Sequence, residues 1–320
     1  MLDTETVRLA YHVLMGREPA NERLVANLTR GCDDIRQLRN RLMSLPEFQQ
    51  KLGASISIGV RLQQAPKPAV EVEVAPGILE QLLEHVETVW RRFGETEPHW
   101  SVLTNQRYLQ DNLSANLDEF YASGEKDVQR FRWATERAGI AFDGLRDCLE
   151  LGSGVGRVTL WLARAFERVV GADISASHLA VAERELTARD IRNIDFRRVA
   201  SVTALDALPQ CGAFYSVITL QHSPPPVMRL VLEKALGRLR PGGVGHFQLP
   251  TQILEYSFDA EAFLAGQATE KAMEHHCLPQ PTVFETIERS GCRVLECVQD
   301  TLSRPNKISN TFTVQKVGGA

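Results

Sequence analysis

The sequence predicts an α/β protein in which helices wrap a largely parallel sheet, with a small all-α domain in front. Three observations carry that expectation. From Arg146 onward, short apolar runs alternate with amphipathic helical stretches, the pattern of strand–helix–strand units. The first run ends in Gly152-Ser153-Gly154-Val155-Gly156, a turn that residues without side chains make easily before a helix. Residues 1–52 place apolar side chains at helical spacing throughout.

The 320 residues are 43% hydrophobic and 24% charged, ordinary for a globular protein and too many for one small module. Net charge is −4 and Lys and Arg form no run, so a basic surface for nucleic-acid backbones is not expected. No stretch approaches the ~20 uninterrupted apolar residues that span a bilayer. The N-terminus, MLDTETVRLAYHVLMGREP, carries acids where a signal peptide carries bases. Cys32, Cys148, Cys211, Cys277, Cys292 and Cys297 form no C-x-x-C pair and read as free thiols in a reducing compartment, hence a cytoplasmic protein. Cys277 with His275 and His276 has poor spacing for a metal cage, and no Asp-rich cluster announces Mg²⁺. No metal is expected.

The helical unit 1–52 contains the sets Val7, Ala10, Tyr11 and Leu14; Leu24, Val25 and Leu28; and Ile35, Leu38 and Leu42. Gly16-Arg17-Glu18-Pro19 reads as a turn. Ser44-Leu45-Pro46-Glu47 reads as a helix start, with a capping oxygen and a proline in the first turn. Residues 53–77 are proline-punctuated and read as a linker. Residues 78–139 form a helical lead-in, where Leu79, Leu82, Leu83, Val86, Val89, Trp90 and Phe93 make an apolar stripe taken as core packing. The main domain spans 140–320, with an insertion at 250–279.

Within it, strands are expected at 148–151, at 168–172 leading into Asp173, near 194–199, from Phe214 to Leu220 and near 244–249. Helices are expected at 176–189 and 225–239, and Arg240-Pro241-Gly242-Gly243 reads as a turn. Ligands of such sheets bind at the carboxyl ends of the strands.

The glycine loop suits either a dinucleotide or S-adenosylmethionine. A dinucleotide fingerprint needs G-x-G-x-x-G/A, whereas counting from Gly152 puts Arg157 at its third position and counting from Gly154 puts Thr159 there. Glu150, two residues before the loop, would repel a pyrophosphate and attract an ammonium group. Asp173, about 20 residues beyond Gly152, stands where a carboxylate accepts hydrogen bonds from ribose hydroxyls; a bare helix cap is the alternative.

ELGSGVGR (150–157), VVGADIS (169–175), YSVITLQHSPP (215–225) and LRPGGVGHFQLP (239–250) resemble, in order, the motifs of class I S-adenosylmethionine-dependent methyltransferases. The resemblance covers about 140–317. It implies a Rossmann-like sheet of seven strands, the last antiparallel, with CRVLECV (292–298) and SNTFTVQK (309–316) as the final pair. It implies S-adenosylmethionine as cofactor and S-adenosylhomocysteine as product. It places Ser201 near the adenine, where many members have Asp. It also makes the segment before the glycine loop a cover for the cofactor, with Tyr121 in it. The candidate cofactor-binding set is Glu150, Gly152, Ser153, Gly154, Gly156, Asp173, Ile174, Ser201, Gln221 and Tyr121.

The N-terminal stretch resembles the DUF4214-type helical domain of bacterial surface-polysaccharide assembly, through AYHVLMGREP (10–19) and LMSLPEF (42–48). That implies a saccharide acceptor and a docking role toward a glycosyltransferase, with a packing or homo-oligomerising cap as the alternative. In the loop Gln221-His222-Ser223-Pro224-Pro225-Pro226, the Asn/Asp-Pro-Pro-Tyr/Phe of adenine and glutamine N-methyltransferases is missing. Cys211 is expected before the fourth strand, not after it as in cytosine C5 enzymes, so nucleic acid is not the expected acceptor.

Oxygen methylation needs a base. His222 is the first candidate, with support of the cofactor or loop as its other reading, and His276 is the second. The insertion carries Tyr256, Phe258 and Phe263, which suit either a lid that stacks on sugar rings or a pair of packing helices. His246 reads as structural. Two other functions remain open: a natural-product O-methyltransferase, and a weakly active cofactor-binding scaffold.

Overall fold

The first three helices begin where the sequence offers an oxygen to the free amides of the first turn. In the unit Met1–Pro66, Asp3, Asn21 and Asp34 each accept a backbone N–H at the start of α1 (Thr4–Met15), α2 (Glu22–Arg30) and α3 (Ile35–Met43). Gly16 ends α1 in the left-handed conformation (φ 65°), which only glycine adopts without strain. Val7, Tyr11, Met15, Val25, Leu28, Leu38 and Leu42 meet in one core. Arg17 binds both carboxylate oxygens of Glu47, at 2.9 and 2.6 Å, so the GREP and LPEF segments are tied together. Ser44 behaves differently from its sequence reading. Residues 46–48 are helical, but Ser44 lies in the final turn of α3 and its hydroxyl donates to the Arg41 carbonyl (2.8 Å).

The computed structural model describes residues 2–48, 69–266, 273–300, 302 and 307–318. The expected linker therefore falls outside the described residues over 53–68. Residues 69–75 carry no helix or named strand, and Val70 forms an isolated bridge with Phe258.

The second unit, Lys67–Ala320, opens with α4 (Pro76–Thr96), α5 (Pro98–Val102), α6 (Leu117–Ala122) and α7 (Glu125–Arg137). A seven-stranded sheet follows, ordered β3-β2-β1-β4-β5-β7-β6. Its strands are β1 (Asp147–Leu151), β2 (Arg168–Asp173), β3 (Ile194–Arg198), β4 (Cys211–Ser216), β5 (Leu239–Ile253), β6 (Cys292–Asp300) and β7 (Lys307–Lys316). The first five pair in parallel, while β7 runs antiparallel to both its neighbours. This is the Rossmann-like class I methyltransferase arrangement expected from the motifs. The connecting helices are α8 (Thr159–Ala165), α9 (Ala176–Ala188), α10 (Val202–Asp206), α11 (Pro225–Gly237), α12 (Ala260–Gly266) and α13 (Gln280–Arg289).

Two strands differ from expectation. β4 starts at Cys211 and ends at Ser216, because Ile218 turns to a left-handed φ of 58° and its N–H donates to Gln248 Oε1 (2.9 Å) instead of continuing the ladder. Cys211 thus opens the strand, paired with Leu239. β5 begins before the Arg240–Gly243 turn and runs to Ile253, absorbing the start of the expected insertion through pairing with β7.

Alternation along the strands builds two apolar faces. Leu149, Phe214, Phe247 and Phe312 lie on one, and Cys148, Val169 and Tyr215 on the other, where Phe131 of α7 packs with them. Phe312 stacks on Phe247 (centroids 5.3 Å, 14°) and meets the edge of Phe284. Phe312→Ala is expected to lower the unfolding free energy by about 3–5 kcal/mol, read from urea denaturation; a loss below about 1 kcal/mol would show that the site repacks.

Candidate active site

The strand order reverses between β1 and β4, and a cleft opens beyond the carboxyl ends there, where such sheets bind ligands. It encloses about 1100 Å³, counted out to the solvent at its mouth. Glu150, Gly152, Ser153, Gly154, Asp173, Ile174 and His222 from the sequence-derived set all line it.

The loop geometry explains its glycines. Gly152, Gly154 and Gly156 have φ of 78°, 53° and 85°, a region that disfavours side chains. A Cβ would also lie 2.1 Å from Thr219 at Gly152 and 2.7 Å from Leu186 at Gly156. Asp173 braces the loop from β2. One carboxylate oxygen accepts the Gly154 N–H (2.8 Å) and the other the Ser175 N–H (2.9 Å). Each oxygen keeps a further lone pair.

Glu150 is 2% exposed and accepts a hydrogen bond from the Thr159 hydroxyl. Burial pushes its carboxyl up to about 8, opposed by the Thr159 bond and Arg157 and helped by the Asp173 charge. Near neutral pH Glu150 is therefore a largely neutral acid beside Asp173. The Ser153 hydroxyl, also buried, has no hydrogen-bond partner.

His222 is 8% exposed. Its Nδ1 lies 2.9 Å from the Glu274 carbonyl oxygen, so Nδ1 carries the hydrogen and donates. Nε2 accepts from the Gln221 amide at 3.3 Å. Burial lowers its pKa to about 3, leaving a neutral ring and a weak base. The Trp90 ring meets it at 5.2 Å.

The remaining predicted residues stand off the cleft. Gly156 packs under the loop. Tyr121 donates its hydroxyl to the Val155 carbonyl (2.9 Å) and so supports the loop from behind. Gln221 is buried behind His222, with its Oε1 unpartnered. Ser201 is exposed, caps α10 by accepting the Ala204 N–H and is not among the residues lining the cleft. His276 does not reach the cleft, because its Nδ1 meets the Tyr256 hydroxyl (2.8 Å) and its Nε2 meets Glu274 (3.3 Å). Tyr256, Phe258 and Phe263 form a cluster with that ring. Phe258 and Ala260 are buried against Leu82, Leu83 and Val227, so these aromatics pack rather than display their faces. Of 250–279, residues 267–272 lie outside the described residues.

Other lining groups had no individual signal in the sequence. Leu83, Val86 and Trp90, on the stripe expected only to pack, form one wall. Ser101 and Val102 form another, with Val102 2.8 Å from where a Gly154 Cβ would stand. His178 holds this segment down. The Ser101 hydroxyl donates to the Pro98 carbonyl, so His178 Nε2–H donates to Ser101 Oγ (2.8 Å), and Nδ1 accepts from Ser175 (2.8 Å). Its place three residues after Ser175, the cap of α9, was the one signal available. Burial lowers its pKa. Among the described residues no group of three or more His, Cys, Asp or Glu could hold a metal ion, and no helix is long and apolar enough to cross a membrane.

The fold and cleft together define the class I methyltransferase architecture, and residues 148–243 match the protein-family model described as a methyltransferase domain. A tRNA/tmRNA (uracil-C(5))-methyltransferase from a Nitratiruptor species is 33% identical over 134 residues, covering 39% of this chain and 35% of that protein. The protein of the same name from Salmonella schwarzengrund is 35% identical over 75 residues, covering 23% of this chain and 20% of that protein. The chain thus spans about a third or less of these curated relatives. Among solved structures, magnesium protoporphyrin IX methyltransferase from Synechocystis PCC 6803 with bound SAH gives a TM-score of 0.50 at 13% identity, covering 72% of this chain and 99% of that one. The likeness is one of fold.

Glu150 supplies a pH test. Its folded pKa, about 8, lies above the ordinary 4.5, so the folded state binds the proton more tightly. That contribution to stability is complete below the ordinary value and is lost as pH rises through the folded one. Urea unfolding of the ligand-free protein at about pH 5 and about pH 8 should therefore show a fall that Glu150→Gln lessens; an equal slope in both proteins would contradict the protonated state.

Proposed function

We propose that this chain is an S-adenosylmethionine-dependent methyltransferase that methylates a hydroxyl oxygen of a saccharide in a bacterial polysaccharide or its precursor. The observation that carries the cofactor assignment is the meeting of Glu150, the glycine loop and Asp173 in one cleft. The orphan Ser153 hydroxyl fits it too, as a buried polar atom awaiting a ligand partner. Glu150 accepts from the ammonium group, Asp173 accepts from the ribose hydroxyls, and the apolar end lined by Val199, Leu205, Val227 and Val231 takes the adenine.

The bound cofactor supplies an already activated methyl group, so the protein's share is to bind, align and exclude water. Trp90, Val102 and Ser101 close the cleft over the loop. His222 is neutral, with Nδ1 held by Glu274 and Nε2 by Gln221, so it shapes the acceptor end of the cleft, and its Nε2 meets an acceptor hydroxyl only by releasing the Gln221 amide. His276 also has both ring nitrogens engaged and does not line the cleft, which makes it the weaker candidate.

The saccharide assignment rests on the N-terminal resemblance. Against pyrimidine C5 chemistry, no described cysteine lines the cleft. Cys211 is buried at the opposite end of β4, with burial pushing its thiol up to about 12. The apolar wall formed by Leu83, Val86 and Trp90 supports a second reading, a small hydrophobic hydroxyl compound as acceptor. Turnover assays with neutral glycosides and with small phenols, read as S-adenosylhomocysteine formation, separate the two.

Calorimetric titration tests the cofactor site. Asp173→Ala should weaken S-adenosylhomocysteine binding about tenfold or more, the worth of charge-assisted hydrogen bonds, and undiminished binding overturns the assignment. An ammonium beside Glu150 lowers its pKa, so binding near neutral pH should release a proton. The enthalpy should then vary with the buffer's ionisation heat in the wild type but not in Glu150→Gln.

A further inference from the structure

A second groove lies on the far side of the wall that β4 makes for the cleft. Tyr215 and Val217 line both cavities. An ion chain also joins them: Arg157, which lines the cleft, binds Asp127 (2.7 Å), and Asp127 binds Arg130 (2.8 Å), with Asp127 and Arg130 lining the groove. The groove runs between α7 and the outer strands β6 and β7. Its non-atom space is about 660 Å³ when the open solvent at its mouth is included.

Its chemistry is specific. Trp133 on α7 is 55% exposed and Val298 on β6 is 45% exposed, so an indole and an apolar patch border the groove. Beside them Arg137 grips Glu296, with Nη2 at 2.8 and 3.0 Å from its two oxygens. The charged lining among the described residues is two guanidiniums, Arg130 and Arg137, against two carboxylates, Asp127 and Glu296. The two other titratable wall groups, His246 and Tyr215, are both held neutral by burial. The lining is therefore balanced, which gives no attraction to a phosphate or a polycation. It offers donors and acceptors side by side, which is what a ring bearing several hydroxyls can satisfy simultaneously. An exposed indole supplies the flat apolar surface on which the C–H face of such a ring is buried.

We propose that this groove is a binding subsite for a neutral sugar ring, with Trp133 as its platform and the Arg137–Glu296 pair as its hydroxyl clamp. Resting on the saccharide reading above, it holds a ring of the acceptor chain next to the one presented in the cleft. Sharing Tyr215 and Val217 makes it a neighbour of the cleft across β4, and the Arg157–Asp127–Arg130 chain couples the two sites electrostatically.

The test is saturation-transfer NMR on the full chain with S-adenosylhomocysteine present. The probes are methyl glycosides of neutral hexoses and 6-deoxyhexoses, with glucose 6-phosphate as the charged control. At least one neutral glycoside should give transfer, strongest at its ring C–H protons, and exceed the phosphate. Trp133→Ala should lower that signal about tenfold, Trp133→Phe should keep part of it, and Arg137→Gln should weaken it, all with S-adenosylhomocysteine affinity unchanged. Transfer that survives Trp133→Ala, a preference for the phosphate, or no transfer from any glycoside overturns the subsite. Turnover distinguishes this from the function itself. Glycoside binding lost in Trp133→Ala without methylation of any sugar leaves the groove standing and removes the saccharide acceptor. Methylation of an oligosaccharide at an unchanged KM in Trp133→Ala does the reverse.

Discussion

The carboxylate of Asp173 holds the site together. It stands at the end of β2 and takes one backbone N–H from the glycine loop and one from the start of α9. Two chain segments that leave adjacent parallel strands are thereby pinned at a fixed separation, and the cleft between them acquires its floor. Backbone N–H groups left without partners in such a place would each cost about 1–3 kcal/mol. The charge has a second consequence. Burial is the main cause that pushes the carboxyl of Glu150, on the neighbouring strand, up to about 8, and the Asp173 charge adds to it. A cation entering the cleft changes that balance, and cofactor charge and site protonation become linked.

The cover of the cleft is built from a different part of the chain. α4 and α5 precede the sheet in sequence, yet they bring Trp90, Ser101 and Val102 over the glycine loop. The connection runs through His178, whose two ring nitrogens join Ser101 on α5 to Ser175 beside Asp173. Floor and cover thus share one hydrogen-bonded line from Gly154 through Asp173, Ser175 and His178 to Ser101. In a buried setting such a line is effective only when each member is satisfied, which explains why two serines, a histidine and a carboxylate meet where apolar packing would otherwise serve.

The floor was legible because its chemistry is local. Glu150, Gly152, Gly154 and Asp173 lie on two strand ends whose apolar runs mark themselves, and glycine at positive φ leaves a trace in composition. The helix caps Asp3, Asn21 and Asp34 are local for the same reason. Side-chain positions were less legible. Ser201 takes up a capping role toward Ala204, and His276, the second base candidate, has its nitrogens engaged by Tyr256, twenty residues away, and by Glu274. The aromatic insertion could be read as a sugar-stacking lid or as packing, and the apolar surface of Leu82, Leu83 and Val227 buries Phe258.

By itself, the sequence determined the order of strands and helices, the left-handed glycine turn and the two carboxylates at its mouth, since each depends on periodicity or on backbone geometry within a few residues. Only the tertiary structure decided that an apolar stripe on α4 would wall the cleft, that His178 would latch its cover, and that Trp133 would border a second groove behind Tyr215. Those outcomes depend on which surfaces meet when distant segments pack, and hydrophobic periodicity says that a face will be buried without saying against what.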